Sequence, residues 1–114
     1  MNTIVDHMLF CLSEECAEVA KEACKAGRFG LDDRNPLVEL APTQREQIVA
    51  ELADLFAVVE MMIEMRILPD PFGARAHMQE KKRKVAKYLG YAKDAGALDY
   101  GQASRAQEIV EAAL

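Results

Sequence analysis

Residues 43–63 read TQREQIVAELADLFAVVEMMI, and this stretch decides the fold class. Its apolar residues Ile48, Leu52, Leu55, Val59, Met62 and Ile63 recur at steps of three and four, the period of an α-helix. It opens with Thr43-Gln44-Arg45-Glu46, the spacing of a capping box, and should end before Pro69. Within it, Glu51-Leu52-Ala53-Asp54 sets two carboxylates three residues apart, side by side on one helical face. Both lie among Leu52, Leu55 and Val58, so they border the interior.

An earlier stretch repeats the pattern. From Thr3, a plausible N-cap, to about Ala26, the residues Val5, Met8, Leu9, Leu12, Cys16, Val19 and Ala23 form a second helical stripe, with Gly27 fitting its end. Glu14-Glu15-Cys16-Ala17-Glu18 places Glu15 and Glu18 at the same spacing on its border. A lone run of this kind is ordinarily a solvated face. Two helices packed through these stripes, however, bring four carboxylates together. Like charges at 4 Å repel by about 1 kcal/mol in water and by more in a drier place. Divalent cations between the acids relieve that repulsion, and oxygen ligands favour Mg²⁺ or Mn²⁺, with chemistry on phosphates. Glu22 continues the acidic face one turn on and reads as solvated.

The rest of the chain agrees with helices. At 114 residues it is expected to be one domain, 1–114. Aromatics are 6% of residues and Trp is absent. Asp70-Pro71 reads as an N-cap and first helical position, opening a third helix to about Leu89 with Gly90 just past it. A weaker helix covers about Gln102 to Ala113, and the Gly90-to-Gly101 stretch is ambiguous. The expectation is all-α, a bundle of three to four helices. No apolar run is long enough to span a membrane and no basic leader opens the chain, which suggests a cytoplasmic protein. Cys11, Cys16 and Cys24 make no paired motif and read as reduced thiols. A net charge of −5 argues against a nucleic-acid binder.

Ferritin-like di-iron chemistry needs Glu-x-x-His, and Ile4 and Ala74 stand three residues before His7 and His77. The site is therefore all oxygen. The order Glu14-Glu15-x-x-Glu18, a loop, then Glu51-x-x-Asp54 resembles the MazG-like all-α nucleoside triphosphate pyrophosphohydrolases, from helix one to helix three. Arg28-Phe29-Gly30-Leu31-Asp32 and the basic third helix resemble the short members associated with phages and bacteria. The resemblance implies hydrolysis of a (deoxy)nucleoside triphosphate to monophosphate and pyrophosphate, in a homodimer or homotetramer whose active sites are completed between protomers. It also implies metal ligation by Glu15, Glu18, Glu51 and Asp54, two to three ions per site, with Glu14 and Glu15 serving catalysis. Some short members act on purine deoxynucleotides such as dGTP. Sister enzymes on phosphoribosyl-ATP or dUTP, and a non-catalytic helical oligomerisation module, are the alternatives.

Lys81-Lys82-Arg83-Lys84 is the densest basic run. Lys82 falls on the apolar stripe of Met78, Val85 and Leu89, so it must snorkel, pair with an acid or reach an anion. Lys81, Lys82 and Lys84 are the candidate phosphate contacts. Phe29 could stack on a base, or simply plug the end of the bundle. His7 reads as solvent-facing, and Met61, Met62 and Met65 as core or subunit interface.

Overall fold

The computed structural model describes residues 2–114, and its regular elements are helical. Among the described residues no strand forms; a single antiparallel bridge joins Arg34 to Thr43. Helix α1 spans Ile4–Phe29, α2 Gln44–Glu64, α3 Arg75–Asp94 and α4 Tyr100–Ala112, with a 3-10 turn at Pro71–Gly73. They form two compact units, one ending at Pro69 and the other spanning Asp70–Leu114. Helices α1 and α2 pack together in the first, α3 and α4 in the second.

Both expected N-caps of the first unit form. Thr3 Oγ1 accepts from the Asp6 N–H at 3.1 Å while the Thr3 N–H donates to Asp6 Oδ2 at 3.0 Å. Thr43 and Glu46 repeat the arrangement at α2. These reciprocal bonds hold both Asp6 and Glu46 below the usual carboxylate range.

The end of α1 differs from the expectation. The helix runs through Gly27 to Phe29 and stops at Gly30, whose φ of 98° and ψ of 149° let its N–H donate to Ala26 O at 2.8 Å. That backbone region is nearly closed to side chains, so the stop falls where only glycine fits. Gly30→Ala is expected to cost about 1–3 kcal/mol, read as a lower urea midpoint with an unchanged m-value. An unaltered midpoint would show that the turn relaxes freely.

The loop after it is tied down at both ends. Arg45 N–H donates to Leu31 O at 2.8 Å, Gln44 N–H to Asp33 O at 3.0 Å, and Arg34 Nη1 to Ala41 O at 2.6 Å. The tip, with Leu37 and Leu40, is exposed.

The α1–α2 seam is centred on Met8, Leu12, Glu15, Val19, Glu22 and Ala26 against Gln44, Ile48, Glu51, Leu55 and the fully buried Met62. Val5, Leu9, Cys16 and Ala23, expected within the stripe, are exposed on its flank. At 100° per residue they lie on one side of the seam and Glu15, Glu18 and Glu22 toward the other. The hairpin thus has an acidic edge and an apolar edge, the latter continued by Val49 and Phe56.

In the second unit Asp70 Oδ1 does accept from Phe72 N–H at 2.8 Å, but it opens the 3-10 turn; α3 begins after Ala74 with no side-chain cap. Helix α3 also passes through Gly90 instead of ending there. Gln107 of α4 crosses over Gly90 to donate to Ala86 O at 2.9 Å, and a Cβ at Gly90 would meet its Nε2 at 2.9 Å. The glycine serves close packing, not termination. Helix α4 starts two residues before the expected Gln102, at Tyr100, capped by Asp99.

Candidate metal centre

Helical spacing and antiparallel packing together build the acidic site. Carboxylate oxygens of Glu15, Glu51 and Asp54 lie within 4.8 Å of one another. Glu15 and Glu51 are half-buried and Asp54 is exposed. Glu51 has its carboxyl pushed above the usual glutamate range, first by loss of hydration and then by the charges of Asp54, Glu18, Glu15 and Glu22. A half-buried carboxylate surrounded by four others is costly to ionise, and a divalent cation would reverse that cost. Three convergent oxygen donors with no imidazole fit a hard cation such as Mg²⁺ or Mn²⁺.

Glu18 stands outside this triad, exposed, with Lys21 Nζ 3.9 Å away. Its charge still reaches Glu51. Glu14 is exposed and also stands outside the triad. His7 is exposed, as expected.

Glu22 is the main correction. It is not solvated: it is 4% exposed, and its Oε2 has no hydrogen-bond partner among the described residues. Its Oε1 accepts from Lys25 Nζ at 3.5 Å. The sequence did carry a signal, since Met8, Glu15 and Glu22 are spaced by seven and share the line that meets α2.

Beyond Glu22 the seam opens into a pocket of about 400 Å³ lined by Lys25, Phe29, Asp33, Asn35, Pro36, Gln44 and Gln47. Phe29 is 61% exposed and forms part of its wall, so it does not plug the end of the helix pair. Gln44 is buried, with no hydrogen-bond partner for its Oε1 among the described residues. The sequence pointed here through Phe29, as a ring that could stack on a base; nothing in it singled out Gln44 or Gln47 as pocket residues.

The basic run belongs to α3, in the second unit. Lys82 is half-buried there as the stripe required, while Lys81 and Lys84 are exposed. Arg83 Nη1 pairs with Glu80 at 3.3 Å, and Lys87 Nζ lies 5.7 Å from the centre of the Tyr91 ring. The three cysteines are free. No helix among the described residues is long and apolar enough to cross a membrane. Comparison of the chain with protein-family models, with curated proteins and with solved structures finds no match.

Proposed function

We propose that this chain is a Mg²⁺- or Mn²⁺-dependent nucleotide pyrophosphohydrolase of the MazG-like kind. The observation that carries the reading is the convergence of Glu15, Glu51 and Asp54 from two helices within 4.8 Å. These three, with Glu18, would hold two to three ions, which when bound neutralise a polyphosphate and acidify a coordinated water. Glu14, next to Glu15, is assigned to orienting the attacking water or to a further ion. Water adds to one phosphorus of the α–β bridge, the bridging P–O bond breaks, and the monophosphate and pyrophosphate leave with a proton released to solvent. No protein nucleophile is required. Lys81, Lys82 and Lys84 are proposed to contact phosphate oxygens as point charges.

The substrate is a nucleoside or deoxynucleoside triphosphate, with a purine deoxynucleotide such as dGTP the leading case and phosphoribosyl-ATP or dUTP the nearest alternatives. The apolar edge of the hairpin, with Leu9, Val49 and Phe56 exposed, supports assembly into a homodimer or homotetramer. That same edge favours a second reading, a non-catalytic oligomerisation module.

Pyrophosphate release from eight ribo- and deoxyribonucleoside triphosphates, with Mg²⁺, Mn²⁺ and EDTA arms, decides between them. The enzyme reading expects metal-dependent release of monophosphate and pyrophosphate, abolished by EDTA. Folded protein that is silent across the panel, and with phosphoribosyl-ATP and dUTP, would favour the module.

A further inference from the structure

The pocket at the end of the α1–α2 seam shares no lining residue with the acidic triad. Three features of its walls bear on what it could hold. Phe29 presents a largely exposed ring at the pocket, with the Arg28 guanidinium 5.9 Å from the ring centre. An aromatic face left open to water gains by covering a planar group, and base–aromatic stacking contributes about 1–3 kcal/mol.

Gln44 supplies the second feature. Its side chain is 5% exposed, and its Oε1 has no hydrogen-bond partner among the described residues. A buried amide acceptor left unpaired is destabilising, so such groups normally have a partner. Its backbone is fixed by the bond from its N–H to Asp33 O, so any partner must come to the side chain. An amide offers a donor beside an acceptor, the pairing that reads the edge of a nitrogen heterocycle. Gln47 and Asn35 add amides to the same walls. The Oδ1 of Asn35 is already engaged by the Leu37 N–H at 3.0 Å, which leaves its NH₂ as the group to offer.

Position is the third feature. Gln47 precedes Glu51 by one helical turn, about 6 Å along α2 at 1.5 Å per residue. Lys25 lines the pocket and is held by Glu22, which in turn acts on Glu51. Pocket, cation and acidic triad therefore follow one another along the seam. That order is the one a nucleotide needs, with the base at one end and the phosphates beyond the sugar. The volume, about 400 Å³, falls within the range of small-molecule sites.

We infer that this pocket is a nucleobase subsite, in which Phe29 stacks on the heterocycle and the Gln44 amide reads its edge. The inference rests on the nucleotide reading above and adds to it where the base is held. Lys25 then faces the sugar–phosphate side.

The test uses the full chain in EDTA, so that it does not depend on turnover. Nucleoside 5′-monophosphates of the common bases are titrated while the side-chain amide and aromatic NMR signals are followed. The expected shifts centre on Phe29, Gln44, Gln47 and Asn35. Phe29→Ala should weaken binding of every base by about 5- to 150-fold, the range that base stacking spans. Phe29→Trp should restore it. Gln44→Leu, close in size, should leave binding in place but flatten the ranking among bases. Shifts confined to other residues, no shift at millimolar monophosphate, or variants that bind like the parent would overturn the subsite. The hydrolysis claim is separable. Base binding without pyrophosphate release would leave the pocket standing and remove the enzyme. Turnover with KM and base preference unchanged in both variants would do the reverse.

Discussion

Glu51→Gln is expected to abolish metal-dependent turnover and, at the same time, to stabilise the metal-free protein. The two effects share one cause. Glu51 sits half-buried between Glu15 and Asp54, and Glu18 and Glu22 add to the negative field. Without a cation its ionised form is disfavoured, so replacing it by a neutral isostere removes a repulsion. With a cation, the same charge is what binds. Turnover should fall by about 10²- to 10⁴-fold, the scale on which a polarising metal lowers the barrier of such reactions. Thermal melts with and without Mn²⁺ separate the readings. The parent should melt higher with metal, and the variant should melt higher than the metal-free parent yet ignore the ion. If the variant melts below the metal-free parent, the crowding of acids is not a strain on the fold. Retained activity would remove Glu51 from the site.

The same carboxyl sets a pH dependence with a definite sign. A glutamate whose folded pKa lies above its ordinary value near 4.5 binds its proton more tightly folded than unfolded. Stability of the metal-free protein should therefore rise as pH falls from neutral through the raised value, and this gain is complete near 4.5. Asp6 and Glu46 act oppositely, because their capping bonds lower their values. Their contribution is full above the ordinary values of 3.8 and 4.5 and is lost as pH falls through the depressed ones. Stability should thus peak in mild acid. In Glu51→Gln the rise on the neutral side should disappear while the acid-side loss remains.

How far the sequence carried these points can be traced residue by residue. The N-cap at Thr3, the capping box at Thr43, the period of α1 and α2, and the paired acids three residues apart follow from local spacing, and local spacing is what a sequence displays. The convergence of Glu15 with Glu51 and Asp54 needs the two helices to pack, and Glu18 falls outside it. The helix ends were less legible. Gly27 and Gly30 are equally good terminators on paper, and only the closing bond to Ala26 O distinguishes them. Gly90 looked like a stop because the reason for it, Gln107, lies on another helix. Polarity alone assigns Glu22 outward, although its seven-residue spacing from Glu15 points in. The pocket depends on a loop folding back onto the start of α2, a non-local event with no periodic signature.

Glu22→Met is expected to stabilise the first unit by about 1–3 kcal/mol, the range for relieving a buried polar group that lacks its partner. Glu22 is 4% exposed, and among the described residues one carboxylate oxygen has no hydrogen-bond partner while the other accepts from Lys25 at 3.5 Å. Removing one member of a buried ion pair usually harms, because its partner is stranded. Here the Lys25 side chain is 34% exposed and can rehydrate, so that penalty is small. Methionine fills similar volume without branching and adapts to its surroundings. For a domain of this size each kcal/mol moves Tm by about 4–8 °C. Glu22 also adds to the negative field at Glu51, so its charge helps attract a cation to the adjoining triad. The variant should therefore melt higher while metal affinity and turnover fall. A lower Tm would mean that the carboxylate is satisfied in solution and is structural. A higher Tm with full activity would mean that the acidic site ends at Glu15, Glu51 and Asp54.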